Sequence, residues 1–296
     1  MVTHSKMEET IVICILFNPA RDLFDKWNTT VLNNPEAFFC FVDNSEKDNS
    51  EYGTIPNSVY ISNHKNLGIA AAQNKGIEYA KNHDFKFVIF FDQDSAVPLG
   101  FCKQIKSEYY RIKKEVDNLC LVGPTIINKD TGQKYKNGDK EIINGYVEVN
   151  KLISTGSATK MEFFDQIGLM DERLFIDSVD FEWCWRALSK GFVCARSYNI
   201  YLPHKVGGKD GSFMGFPLVL SAPVRYYYQY RNYLLLLRRD YVPFSWKWRS
   251  GVRKLVEFFI IPFFAKKNRI VITKNMIKGI YEGIRAVSVQ KCSKAF

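Results

Sequence analysis

No stretch of this 296-residue chain is apolar for long enough to cross a bilayer. The longest uninterrupted run, Phe258 to Ala265, has eight residues, against the roughly 20 that a spanning helix requires. A secretory leader is equally missing from the pattern. MVTHSKMEET runs into Ile11–Phe17, which stops at Asn18-Pro19 and reads as a buried strand with no small-residue cleavage site behind it. The seven cysteines are scattered, odd in number and without a C-x-x-C pair, which speaks against a disulfide framework or a structural zinc site and for reduced thiols. These absences point to the cytoplasm. The glycine signatures of nucleotide sites are lacking too: no G-x-G-x-x-G follows the first strand and no G-x-x-x-x-G-K-[ST] occurs anywhere. Dehydrogenase and P-loop readings therefore fall, and a nucleotide bound here needs its phosphates held by a metal. No internal repeat is visible.

What is present is an ordinary globular composition, 46% hydrophobic and 24% charged, with an uneven distribution of charge. Residues 225–296 hold 16 of the 41 basic residues and three of the 31 acids, a net of +13 that leaves −3 for residues 1–224. Two regions follow, a catalytic domain over 1–224 and a basic, aromatic-rich helical region over 225–296. In the second, Tyr226, Tyr227, Tyr228, Trp246 and Trp248 precede the apolar cluster VEFFIIPFFA, beside Lys266, Lys267 and Arg269. Clustered aromatics next to basic residues suit a helix lying on anionic lipid. A solvated helical face or a homo-oligomer contact is the plainer alternative. A nucleic-acid groove would use the same residue types but would interleave them, and no nucleic acid is expected.

The N-terminal part alternates apolar runs with helix-compatible stretches: Ile11–Phe17 then Arg21–Leu32, Ala37–Val42 then a loop, Val59–Ser62 then Gly68–Asn82, and Phe87–Phe91. This is the rhythm of an α/β fold. The continuous hydrophobicity of IVICILF and FKFVIFF fits parallel strands covered on both faces. In such sheets ligands gather at the carboxyl ends of the strands, which here carry Asn18, Asp43-Asn44-Ser45, Asn63 to Gly68 and Asp92-Gln93-Asp94-Ser95.

Asp92 and Asp94 sit two apart at the end of an apolar strand, and strand periodicity points them the same way. Like charges there need a cation or water between them; a hard divalent ion such as Mg²⁺ or Mn²⁺ on a substrate diphosphate would serve. A solvated turn in which an Asp caps a helix is the alternative. A second cluster, Asp177-Ser178-Val179-Asp180-Phe181-Glu182-Trp183, opens a helical pattern in which Asp180 is either a helix cap or a general base facing a cleft. Leu152-Ile153 is a strand-like run broken by small residues, and Gly156 and Ser157 allow a substrate close to backbone. His204 is either structural or a ligand.

The order of these pieces resembles glycosyltransferase family 2 enzymes of GT-A fold, and within them bacterial rhamnosyltransferases of polysaccharide and O-antigen assembly. The likeness spans about residues 10 to 240. It rests on Phe17-Asn18-Pro19, Val42-Asp43-Asn44-Ser45, Asn66-Leu67-Gly68 through Asn74, Asp92-Gln93-Asp94-Ser95, Ser154-Thr155-Gly156-Ser157, the Asp180 segment, His204 and Tyr230-Arg231-Asn232-Tyr233.

The resemblance implies a Rossmann-like, mostly parallel sheet flanked by helices and an inverting, metal-dependent transfer of a sugar from a nucleoside diphosphate. L-Rhamnose from dTDP-L-rhamnose is favoured, with a lipid-linked or growing cell-surface glycan as acceptor, at the inner face of the cell membrane. It places the nucleotide at Asn18, Asp43, Asn66, Gly68, Asp92 and Gln93, the metal on Asp94 and His204, and the base at Asp180. Gly156, Ser157, Asp177, Glu182 and Trp183 fall on the acceptor side, with Asp177 a competing base because Val179 stands where an acid often precedes it. Rival readings are a non-catalytic sugar-nucleotide or glycan-binding protein of the same fold and a transferase using a UDP-hexose.

Overall fold

The computed structural model describes residues 10–129, 132–134, 144–204, 211–213, 216–218, 220–265 and 268–292. Lys266, Lys267, Lys294 and the Lys205–Gly208 run lie outside them. Eight strands form one sheet in the order β3-β2-β1-β4-β7-β5-β8-β6. They are β1 (Thr10–Leu16), β2 (Phe38–Asp43), β3 (Ser58–Ser62), β4 (Phe87–Asp92), β5 (Leu119–Asn128), β6 (Tyr146–Val149), β7 (Ala158–Lys160) and β8 (Val193–His204). The first four strands pair in parallel, β7 lies antiparallel between β4 and β5, and β6 closes the far edge antiparallel to β8.

The apolar runs are continuous because both faces are covered. Successive strand residues point to opposite sides. On one side Trp27 of α1 (Asp22–Leu32) packs against Phe39, Phe41 and Phe91 at ring-centroid distances of 5.7 to 6.4 Å. On the other, Gly76 of α2 (Ile69–Asn82) lies against Ile13, where a Cβ would come 2.5 Å from Ile13 Cγ2. The helix therefore beds on β1 only because that position carries no side chain. Leu152-Ile153, strand-like in sequence, is irregular; Leu152 is buried against Gly123, and the strand begins only at Ala158.

Two further helices, α3 (Phe101–Lys113) and α4 (Glu162–Ile167), complete the flanks, and α5 (Val179–Ser189) precedes β8. The C-terminal region is helical: α6 (Pro223–Leu237), α7 (Phe244–Phe264) and α8 (Arg269–Cys292). Pro223 starts α6 where its missing N–H costs nothing. The change of charge at residue 225 is not a break in packing. Leu236 and Val242 belong to the sheet's core, whereas Tyr226 and Tyr230 join Ile261, Ile272 and Met276 in a second, smaller core. No helix of the described residues is long and apolar enough to cross a membrane.

Candidate active site

The sheet order reverses at β1, whose neighbours β2 and β4 leave a crevice at their carboxyl ends, the usual ligand site of an open parallel sheet. β4 stops at Asp92, and the Ser95 N–H donates to the Asp92 carbonyl at 3.0 Å. This turn, rather than continued strand pleating, brings Asp94 back beside Asp92. β8 delivers His204 at its end. Ligand atoms of Asp92, Asp94 and His204 all lie within 4.8 Å of one another. His204 Nδ1 is buried and has no hydrogen-bond partner among the described residues. Two carboxylates and an imidazole around an unpartnered nitrogen fit a divalent cation. Burial pushes the Asp92 carboxyl up to about 6; Asp94 adds to the rise, while His204 and Arg225 oppose it. Carboxylates set this close call for positive charge.

A cleft of about 530 Å³ opens from this cluster, with Asp177 and Asp180 on one wall and residues of α6 and α7 opposite. Asp180 is the second residue of α5, and the cap position belongs to Ser178, so capping does not explain the aspartate. Its carboxylate accepts from the Phe181 N–H at 2.9 Å and the Ser154 N–H at 3.3 Å. Burial pushes it up to about 7, with Asp92 adding and the Phe181 and Ser154 N–H groups opposing. The residue keeps partial exposure through the cleft, which leaves it reachable by a proton donor. Behind it lies an apolar cavity of about 20 Å³ walled by Phe90, Leu152, Ser157, Phe164 and Trp183.

The loop leading to Asp180 is held in an unusual backbone state. Phe175, Asp177 and Ser178 have φ of 63°, 68° and 65°, a region that side chains rarely adopt and that surrounding structure must enforce. Enforcement comes from α6. Tyr228 stacks on Phe175 at 4.5 Å with rings 4° apart, Arg231 donates to the Arg173 and Leu174 carbonyls, Asn232 donates to those of Leu174, Ile176 and Asp177, and Arg225 pairs with Asp177. From the other side, Gly68 (φ 86°) sits so close that a Cβ would come 2.6 Å from the Phe175 ring, while Ile69 N–H donates to the Phe175 carbonyl. Glycine is required there.

Of the residues singled out in the sequence, Asp92, Asp177, Asp180 and His204 line the cleft, and Asp94 joins through the metal-binding set. The N–H of Asn18 (φ 45°) donates to Ser45 Oγ. Asn66 accepts from the Gly68 N–H. Asp43 is fully buried, and its oxygens accept from Ser45 N–H, Asn49 and Tyr60, so it organises the loop after β2 from within. Gln93 spends its side-chain amide on both backbone groups of Phe17, tying the ends of β1 and β4 together.

Four expected acceptor-side residues lie elsewhere. Gly156 is packed against Leu202 and Pro124, and Ser157 and Trp183 face the cavity behind Asp180. Glu182, only 1% exposed, is clamped by Arg186, Arg239 and Tyr241. It turns away from the cleft because α5 places it on the face opposite Asp180. The sequence reading missed Arg225, Gln229, Tyr233, Trp246, Ser250, Arg253 and Lys254, which supply the far wall of the cleft. Only the Tyr230–Tyr233 motif hinted that α6 reaches this far.

Residues 29–165 match the profile of glycosyl transferase family 2. The dTDP-rhamnosyl transferase RfbF of Shigella flexneri is 35% identical over 235 residues, 76% of this chain and 77% of its own. Among solved structures, GalNAc-T7 with UDP, GalNAc and Mn²⁺ aligns with a TM-score of 0.55 over 80% of this chain, and S. aureus TarS with 0.52 over 85%, each at 14% identity. The chain spans about half the length of each, 53% and 44%, and at that identity the likeness is one of GT-A fold. Sequence identity sustained across most of both sequences, with the family segment crossing the end of β4, makes this chain a glycosyltransferase of family 2.

Proposed function

We propose that the chain transfers L-rhamnose from dTDP-L-rhamnose to a hydroxyl of a lipid-linked or growing cell-surface glycan, with inversion, at the inner face of the cell membrane. The donor sugar follows from the RfbF likeness. The observation that carries the reading is that Asp180 and the Asp92, Asp94 and His204 set face one cleft. Those three residues would hold Mg²⁺ or Mn²⁺, which when bound supplies positive charge against a departing diphosphate.

The remaining work falls to the chain's own groups. Asp180, at about 7, is ionised above neutrality yet basic enough to take the proton of an incoming hydroxyl. A single displacement assisted by one base inverts the anomeric centre; a retaining route would need a second carboxylate as nucleophile. The nucleotide end of the donor is assigned to the rim formed by Asn18, Asp43, Asn66, Gly68 and Gln93. Asp177, held by Arg225, is left to orient the acceptor.

The test is a panel of dTDP- and UDP-sugars incubated with the full chain and Mg²⁺ or Mn²⁺, reading nucleoside diphosphate release and thermal shift. Turnover confined to dTDP-rhamnose supports the proposal. Preference for a UDP-hexose replaces the donor, and stabilisation by donors without any turnover replaces the enzyme by a binding protein.

A further inference from the structure

Helix α7 has two unlike faces. One closes the cleft with Trp246, Ser250, Arg253 and Lys254. The other carries Phe244, Trp248, Val252, Leu255, Phe259 and Phe263, exposed by between 47% and 80%. Steps of three and four residues hold these six within an arc of about 100° over a length of roughly 29 Å. No charged residue falls inside that arc, and exposed Val256 and Arg249 come next around the helix. Helix α8 repeats the arrangement. Ile270, Ile277, Tyr281 and Ile284 are exposed by 53% to 61%, beside exposed Lys274, Lys278 and Arg285.

Apolar stripes of this length are unusual on a monomer's surface and mark a contact. The charge selects the partner. A second copy of the chain would bring two regions of net +13 together, which repel. An anionic bilayer surface is attractive to the same charges, and aromatic side chains flanked by Lys and Arg are at home at the headgroup level.

We propose that α7 and α8 form a platform that beds the Phe244–Phe263 stripe in an anionic membrane surface, so that the wall of the cleft and the membrane-facing surface are two sides of one helix. This rests on the membrane-held acceptor of the preceding section, and it adds which residues meet the lipid and where the cleft stands relative to them. An acceptor anchored in the bilayer would then reach Asp180 along α7 without leaving the membrane.

Point variants are the right probe, because deletion of α7 would also remove Trp246, which packs on Trp185 at 4.8 Å. The full chain is floated with vesicles of phosphatidylcholine alone and of phosphatidylcholine with an equal part of phosphatidylglycerol. The wild type should float with the second and not the first, with part of the binding surviving high salt because apolar insertion is unscreened. The double variant Phe259→Glu, Phe263→Glu should lower the bound fraction at least about tenfold, with circular dichroism and the thermal shift given by dTDP unchanged. Arg249→Glu with Lys274→Glu should remove mainly the salt-sensitive part. A wild type that ignores both vesicles, or a Phe variant that floats like it, overturns the platform. So does light scattering that finds a dimer which the Phe variant splits, since the stripe is then a contact between copies. Turnover of dTDP-rhamnose without lipid binding removes the platform alone, and lipid binding without turnover removes the donor assignment alone.

Discussion

The side-chain amide of Asn232 donates to the Ile176 carbonyl at 2.7 Å, joining the middle of α6 to a loop 56 residues earlier that leads into the proposed base. The same amide also meets the carbonyls of Leu174 and Asp177. It is 1% exposed. Asn232→Ala should cost on the order of 3 kcal/mol through unsatisfied buried carbonyls and lower kcat far more than donor affinity. Asn232→Asp keeps the shape but turns an acceptor toward three acceptors, and it should be the worse of the two. Chemical denaturation alongside a kcat and KM comparison checks both; an Asp variant as stable as wild type contradicts the assignment.

Asp180→Asn should abolish transfer, leave dTDP binding nearly intact and stabilise the protein at neutral pH. The sign follows from the carboxyl's position. An Asp raised from 3.8 to about 7 in the folded state favours the protonated fold, so its contribution is fully present below about pH 4 and is lost as pH rises through 7. The Asn variant lacks that loss. Melting temperatures of the two proteins should therefore converge in acid and separate above neutrality; a variant less stable than wild type at pH 8 would sink the reading. The wild type's transfer rate should climb with pH toward a plateau above 7. If Asp177→Asn is the inactive protein instead, the base lies one turn earlier.

Asp94→Asn and His204→Ala should each raise the Mg²⁺ or Mn²⁺ concentration needed for half-maximal activity, and EDTA should stop the wild type. Asp94 supplies a carboxylate and His204 an imidazole nitrogen, so the Asp94 variant should suffer more. Full activity in EDTA would remove the metal from the mechanism.

Glu182→Gln separates structure from chemistry on α5. The carboxylate faces Arg186 at 3.0 Å and Arg239 at 2.9 Å; Arg239 keeps Asp171, but Arg186 loses its counterion, a loss of about 3 kcal/mol. Melting temperature should fall, while kcat measured well below it stays near wild type. A dead but fully stable variant would return Glu182 to the acceptor site.

The legible parts of this protein are those that local pattern dictates. IVICILF and FKFVIFF announced strands covered on both faces because a half-exposed strand would alternate. Asp92 and Asp94 were visible because paired acids at the end of an apolar run need a cation or water between them, although a turn and not the pleat brings them together. Asp180 was visible at the start of a helix, but Glu182 beside it was misplaced, because the partners that draw it away, Arg239 and Tyr241, lie 57 and 59 residues downstream. The far wall of the cleft stayed hidden for the same reason. Arg225, Gln229 and Tyr233 carry a helical pattern that says which residues share a face and nothing about what that face meets. Leu152-Ile153 misled because two apolar residues before a turn look like a strand whether or not a neighbouring strand is in reach.

The clamp of α6 on the 173–178 loop also bears on the order in which the protein is made. When β8 has emerged from the ribosome, every strand of the main sheet has been synthesised, yet the donors that hold Phe175, Ile176 and Asp177 in place are still inside the tunnel or not yet joined to the chain. A nascent chain at that stage carries the proposed metal ligands and the proposed base, but not the α6 donors that hold the loop before the base. A chain ending before α6 would therefore carry the whole sheet but lack the donors that hold Phe175, Ile176 and Asp177 in their backbone state.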